Sequence, residues 1–386
     1  MKIALIIHRF GKEIVGGAEK YAYVMASILS KYASVDVLTT TAKDHITWKN
    51  EYLESIEFNG KFRILRFSVD FPRDYYWQNL HQIFLKADPR KLPINFCYEW
   101  IKYQGPYSSK LFDYLSSSSS NYDRYIFVTY LYPTTFFGVD LVKKEKVFIL
   151  PTFHKEPYAF LPVIKKYKNY QHLFLTEEEK KLAEEIYGSL PSKFHILGFG
   201  IKDKFKKFSN LDKENYIIYA GRLEKAKGVE TLINYFQKFY SKNKNLKLYL
   251  IGEGPLKNKV LNLEGIVYKG LVSEEEKNIL IRKAKALVHP SSFESLSIVL
   301  IEAFMLGTPA IVNCNSDVLK SHIKKSKAGY CYHSYEEFEE AMNMLQKEEI
   351  LTALSKKARK YFLENFSIQV FENNLRKVIL NSRECP

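Results

Sequence analysis

The sequence predicts an α/β fold of two doubly wound domains, each a parallel sheet with crossover helices. Three observations predict it. Short apolar runs of strand length alternate with amphipathic stretches of helical length along most of the chain. The two halves share one plan of strand, glycine-bearing turn and helix. The chain's 386 residues, 46% of them hydrophobic, suit two cores better than one. Facing one another, two such domains would set a cleft between the C-terminal ends of their strands, where sheets of this kind bind ligands.

In the first half, strands are expected at 2–7, 35–40, 63–67, 125–130, 146–151 and 172–176, and helices at 18–32, 107–115 and 177–187. The periodicity lapses around Gly198-Phe199-Gly200, and 202–213, rich in Lys, Asp and Phe, reads as an interdomain linker. A second series follows, with strands at 216–219, 246–251, 265–268, 286–290, 309–313 and 329–332. Helices are expected between them at 228–240, 274–283, 295–305 and 336–346, with more helix from 349 to 380. The segment 68–107 breaks the alternation. Its aromatics (Tyr75, Trp77, Phe84, Trp100 among them) are interleaved with Arg73, Lys86, Arg90, Lys91 and Lys102. Either it is an irregular insertion packed on its domain, or its rings and cations meet a glycan or a lipid headgroup.

Composition excludes several classes. The opening apolar run, Met1 to His8, is too short for a signal core and reads as a buried strand. The apolar stretch 125–142 is interrupted by Pro133 and Asp140, so it cannot span a bilayer. The excess of 58 Lys+Arg over 43 Asp+Glu, a net +15, is spread along the chain. That is a solvated surface rather than a nucleic-acid arm, with attraction to anionic substrates or membrane left open. Cys97, Cys314, Cys331 and Cys385 are scattered, giving neither a disulfide framework nor a metal site. A reducing, cytoplasmic setting is the expectation.

Several motifs carry chemistry. Gly16-Gly17-Ala18-Glu19 enters the first helix, where backbone N–H groups and the helix dipole favour anions. Gly221-Arg222-Leu223 to Lys227-Gly228 puts two cations at a strand's end, a pattern suited to a diphosphate. Gly252-Glu253-Gly254-Pro255 ends the next strand. In the stretch from His289 to Glu302, a helix beginning near Ser295 or Ser297 would place Glu294 and Glu302 about 12 Å apart along its axis. That is too far for a shared proton, and suits two contacts on one extended ligand. Glu302 lies in an apolar run and needs a partner. His154 follows a first-half strand.

Together these motifs resemble a family-4-type retaining glycosyltransferase with the two-domain GT-B fold. The resemblance implies a Rossmann-like acceptor-binding domain over 1–200, with 367–386 packing back on it, and a donor-binding domain over 214–366. It implies a nucleotide-sugar donor, taken as a UDP-sugar on base rates, a glycan or lipid-linked acceptor, and no metal or other cofactor. Arg222 and Lys227 would hold the donor diphosphate, Glu302 the ribose, and backbone around Ser297, Ile298 and Val299 the phosphate and ribose. Glu294 and His154 would meet the donor sugar, Gly17 and Gly252 would line the donor site, and Val272 would meet the base. A cytoplasmic enzyme visiting the inner face of an anionic membrane fits this reading, and a nucleotide-sugar epimerase on a similar fold is the alternative. Oligomeric state is not implied.

Overall fold

The apolar runs become strands because burial on both faces demands them. In β1 (Lys2–Ile6) four of five residues are fully covered, as in a strand flanked by helices on either side. The structure, a computed structural model, describes residues 1–14, 16–118, 120–203 and 213–380. The chain divides into two units, Met1–Gly198 with Glu372–Pro386, and Phe199–Phe371.

The first unit continues with β2 (Ser34–Thr40), β3 (Ser55–Phe58), β4 (Arg63–Phe67), β5 (Arg124–Val128), β6 (Val147–Leu150), β7 (Gln171–Phe174) and β8 (Phe194–Ile196). They form one sheet in the order β3-β4-β2-β1-β5-β6-β7-β8, parallel except for the β3–β4 hairpin. Its helices are α1 (Gly17–Leu29), α2 (Tyr75–Lys86), α3 (Ile94–Gln104), α4 (Ser109–Ser117), the single turn α5 (Pro133–Phe136) and α6 (Glu177–Tyr187). Two strands escape the hydrophobic pattern. In β3, Ile56 and Phe58 lie exposed at the sheet's edge, and β8 is three residues long. Asn59-Gly60 is the local hairpin signal, with the Asn59 Oδ1 accepting from the N–H groups of Lys61 and Phe62.

The segment 68–107 is not irregular. Asp74 caps α2, and α2 and α3 bury Leu80, Phe84, Cys97, Trp100 and Ile101 in the main core. Tyr75, Ile83, Leu85, Ile94 and Tyr98 stay exposed. The aromatics thus divide between packing and surface, and the expectation of an irregular insertion is corrected.

The second unit holds β9 (Glu214–Ala220), β10 (Lys247–Ile251), β11 (Ile266–Gly270), β12 (Ala284–His289), β13 (Ala310–Asn313) and β14 (Gly329–Tyr332). Its sheet is wholly parallel, in the order β11-β10-β9-β12-β13-β14. Between them run α7 (Val229–Tyr240), the short α8 (Lys257–Val260), α9 (Glu274–Lys283), α10 (Ile298–Met305), α11 (Asp317–Ser326) and α12 (Tyr335–Met344). The helical tail is broken in two, α13 (Glu348–Asn365) and α14 (Ile368–Leu375). Helix α11, short and Lys-rich, is not among the helices expected from sequence, though Val318, Leu319 and Ile323 form a buried face on it.

The segments 199–203 and 367–371 stay with the second unit, slightly beyond the expected limits. Ile201 bridges Ser367, and a Cβ on Gly200 would lie 2.5 Å from that of Phe371. Of the expected linker, residues 204–212 lie outside the described residues. No helix among the described residues is long and apolar enough to cross a membrane.

One expectation is overturned. Cys314 and Cys331 are joined in a disulfide, 17 residues apart in sequence. The crossover through α11 returns β14 beside β13, and Cys314 N–H donates to the Tyr332 carbonyl. Parallel pairing, invisible in cysteine spacing, brings the two together, and the inference of a reducing setting loses its basis. Closing a loop of this length contributes about 3 kcal/mol. Non-reducing peptide mapping should therefore recover 314 and 331 linked. Reduction, or Cys331→Ser, should lower the unfolding free energy of the second unit by about that amount in denaturant titrations.

Candidate functional site

In both sheets the strand order reverses beside the first strand of the unit, and Gly17, Arg222, Lys227 and Glu294 follow strands at those points. His154 follows β6, Gly252 β10 and Val272 the edge strand β11, while Glu302 lies within α10. In the second unit the reversal lies between β9 and its neighbours β10 and β12. Lys227, on the turn after β9, donates to the Glu294 carboxylate at 2.7 Å. Glu294 stands in the loop after β12, with the Nε2 of His289 3.7 Å from the same oxygen. Burial, with Lys227 nearby, holds the His289 imidazole below its ordinary value despite Glu294, so it is neutral at pH 7. Gly228, at φ 73°, allows this meeting, since a Cβ there would lie 2.3 Å from the Pro290 carbonyl oxygen. Gly252, at φ 127°, is equally constrained, 2.0 Å from the Gly221 carbonyl oxygen.

The expected helical spacing of the two glutamates does not hold. Helix α10 begins at Ile298, because Ser297 takes a left-handed conformation at φ 65° and caps it without a side-chain bond. Glu294 therefore precedes the helix, and the two carboxylates belong to separate ion pairs. Glu302, 4% exposed, pairs with Lys277 of α9 at 3.0 Å. Burial would lower the Lys277 ammonium, but the Glu302 and Glu274 carboxylates more than offset it and hold it above its usual value. Val272 lies in the turn before α9. The start of α10 presents the backbone of Ile298 and Val299, with the Ser297 hydroxyl buried and unpartnered. Arg222 is not drawn into the Lys227 pair. It reaches outward to Glu224 at 3.1 Å, while its carbonyl accepts from the Tyr219 hydroxyl.

In the first unit, Gly16 and Gly17 open α1, and the Glu19 carboxylate folds back so tightly that a Cβ on Gly16 would lie 2.0 Å from it. Arg9 holds Glu19 at 2.5 Å and His8 lies 3.3 Å away. Burial works against the Glu19 charge, but His8 and Arg9 hold its carboxyl at about 2. The negative group at this helix start is thereby neutralised. His154 follows β6, one-third exposed, with Glu156 4.0 Å from its Nδ1. Thr152 before it is left-handed, at φ 55°.

Sequence reasoning missed four residues here. Lys277 and His289 could have been found as partners demanded by Glu302 and Glu294. Asn313, whose side-chain amide donates to the Pro290 carbonyl and the Ser292 hydroxyl, gave no signal. Nor did Glu179 of α6, whose fully buried carboxylate accepts from the Phe153 N–H at 2.8 Å and the Leu175 N–H at 2.6 Å. It thereby fixes the backbone that carries His154. Among the described residues there is no group of three or more His, Cys, Asp or Glu able to hold a metal.

Two sheets of mostly parallel strands joined by crossover helices define a doubly wound α/β protein, and the comparisons narrow it. Residues 201–361 match the family model of glycosyl transferases group 1. An uncharacterized glycosyltransferase of Methanocaldococcus jannaschii is 31% identical over 151 residues, 36% of this chain and 38% of that protein, so the match spans well under half of that relative. The O-antigen chain mannosyltransferase C of Escherichia coli is 21% identical over 68% of this chain and 76% of its own length. The Anabaena protein HepE, solved with UDP and glucose, superposes with a TM-score of 0.70 at 14% identity, over 98% of this chain and 99% of its own. Residues 201–361 thus resemble glycosyl transferases group 1, and the two units have the make-up of the GT-B fold.

Burial raises Glu179 to about 8, above its ordinary 4.5, against the lowering pull of backbone N–H groups. A group raised on folding stabilises fully below its unfolded value and loses that contribution as pH rises through its folded one. Stability of the first unit should therefore fall between pH 5 and 8. Glu179→Ala should flatten this slope in denaturant titrations. Two buried N–H groups left unpaired should also cost about 2–5 kcal/mol.

Proposed function

We propose that the protein is a retaining glycosyltransferase that moves a hexose from a nucleotide-sugar to a glycan or lipid-linked acceptor. The observation that supports it most is the Lys227–Glu294 pair at the β9–β12 switch point, inside the stretch matched to glycosyl transferases group 1. HepE was solved with UDP, which favours a UDP-sugar as donor. The Escherichia coli relative acts on O-antigen chains, which favours a surface polysaccharide as product.

Transfer from a sugar diphosphate builds negative charge on the leaving nucleotide and positive charge on the sugar. Lys227 uses one of its three N–H groups on Glu294, leaving two for phosphate oxygens. Arg222, exposed at the same turn, adds a second cation, and the backbone N–H groups at Ile298 and Val299 add neutral donors. Glu294, held at Lys227, sits where its charge can face the electron-poor sugar. Glu302 accepts from ribose hydroxyls while Lys277 balances its buried charge. Val272 meets the base and Gly252 gives the pyrophosphate close backbone approach. In the first unit, Gly17 and His154 are assigned to the donor's phosphate and sugar. These roles need no metal. The +15 charge favours an anionic inner membrane face as the place of action.

Incubation with a panel of nucleotide-sugars and acceptors, following free nucleoside diphosphate and product, tests the reading. Acceptor-dependent release of nucleotide is expected, unchanged by chelator. An intact nucleotide-sugar with an altered sugar would indicate epimerisation instead. Glu302→Ala should weaken nucleoside diphosphate binding by about 1.5–3 kcal/mol in calorimetry. Glu294→Gln should depress kcat while leaving that binding nearly unchanged. The reverse pattern would exchange the two roles.

A further inference from the structure

Arg73 of the first unit carries a charge that no carboxylate within 4.0 Å answers among the described residues. Its Nε and one terminal nitrogen both donate to the Gln104 carbonyl, at 3.1 and 2.8 Å, and its backbone N–H to Thr47. A carbonyl orients a guanidinium but does not neutralise it. Among the described residues no carboxylate lies within 4.0 Å of it; Asp44, held by Thr47, acts only from farther away. The guanidinium is packed instead over two indoles, Trp77 at 4.3 Å and Trp48 at 5.5 Å. Burial with so little compensation holds it below its ordinary value, the mark of a cation short of an anion.

The surroundings hold further polar atoms without partners. His81 stacks on Trp77 at 4.7 Å, and Trp100 and Tyr158 lie around it, each 6.1 Å from the imidazole. The Nε1 of Trp77, the Nε1 of fully buried Trp100 and the Nδ1 of His81 are all buried with no hydrogen-bond partner. Unpaired buried polar groups are costly, and a cluster of them around an unanswered guanidinium describes a site for an acceptor-rich group. The remaining Nη1 of Arg73 makes no bond among the described residues and is not sealed from solvent.

We propose that Arg73, beside Trp77 and His81, seats an anionic group, a phosphate or carboxylate, carried by the glycan acceptor. The assignment to the acceptor rests on the glycosyltransferase reading; the anion seat itself does not.

The chain's three tryptophans, Trp48, Trp77 and Trp100, all lie around this site, so intrinsic fluorescence reports on it. The full-length protein is titrated with inorganic phosphate, glucose 6-phosphate, glucuronate and glucose, at constant ionic strength in chloride. A saturable change with an anion and none with glucose is expected, and the better of phosphate and glucuronate identifies the group. Arg73→Gln should weaken the response at least tenfold, and Arg73→Lys, which keeps the charge, should retain part of it. Equal responses to glucose and anions, or Arg73→Gln binding as wild type does, would overturn the proposal and leave Arg73 as a brace for the Gln104 carbonyl. If Arg73→Gln does not fold, a wild-type response no different from that of chloride alone overturns it. UDP binding in the same preparation separates the two readings. UDP bound without anion sinks the seat alone, whereas anion bound without UDP leaves the seat standing and sinks the donor assignment.

Discussion

Parallel strands buried on both faces leave one place for chemistry, and that constraint shapes both units. A parallel pair needs a crossover, the crossovers are helices, and the helices cover the sheet. Side chains along β1, β9 and β12 are therefore spent on packing. What remains free is the carboxyl edge, where each strand hands over to a loop and a helix begins. His8, Arg9 and Gly17 follow β1, His154 follows β6, Arg222 and Lys227 follow β9, and Glu294 follows β12.

Charge at those edges is half buried, and pairing is how it survives there. Glu19 with Arg9, Glu294 with Lys227, and Glu302 with Lys277 each set a carboxylate against a neighbouring cation. Such pairs contribute little net stability, because desolvation offsets attraction. Their value is positional. Each fixes a cation beside a carboxylate in a set position. Arg73 departs from this pattern, having no carboxylate within 4.0 Å among the described residues, which is why it reads as a seat for a ligand's charge.

Backbone geometry supports the same edges. Gly228 and Gly252 permit strand-end turns to press against neighbouring carbonyls, and left-handed Ser297 and Thr152 redirect the chain immediately before groups assigned to the donor. Glu179 secures the His154 loop from below through backbone N–H groups. A change at any of them shifts groups assigned to the ligand.

The strands of the two sheets were legible in sequence because burial on both faces writes a continuous apolar run, and the glycine turns because close approach excludes side chains. So were Lys227, Glu294 and Glu302, as charged residues at strand ends or in an apolar helix. The exposed edge strand β3, polar α11 and amphipathic α2 and α3 were not, since their stabilisation comes from neighbours distant in sequence. Tertiary structure alone decided who pairs with whom. It brought Lys277 to Glu302, His289 to Glu294, Cys314 to Cys331, and Trp48 and Trp77 to Arg73, because parallel pairing and crossover packing set distances that sequence separation does not encode.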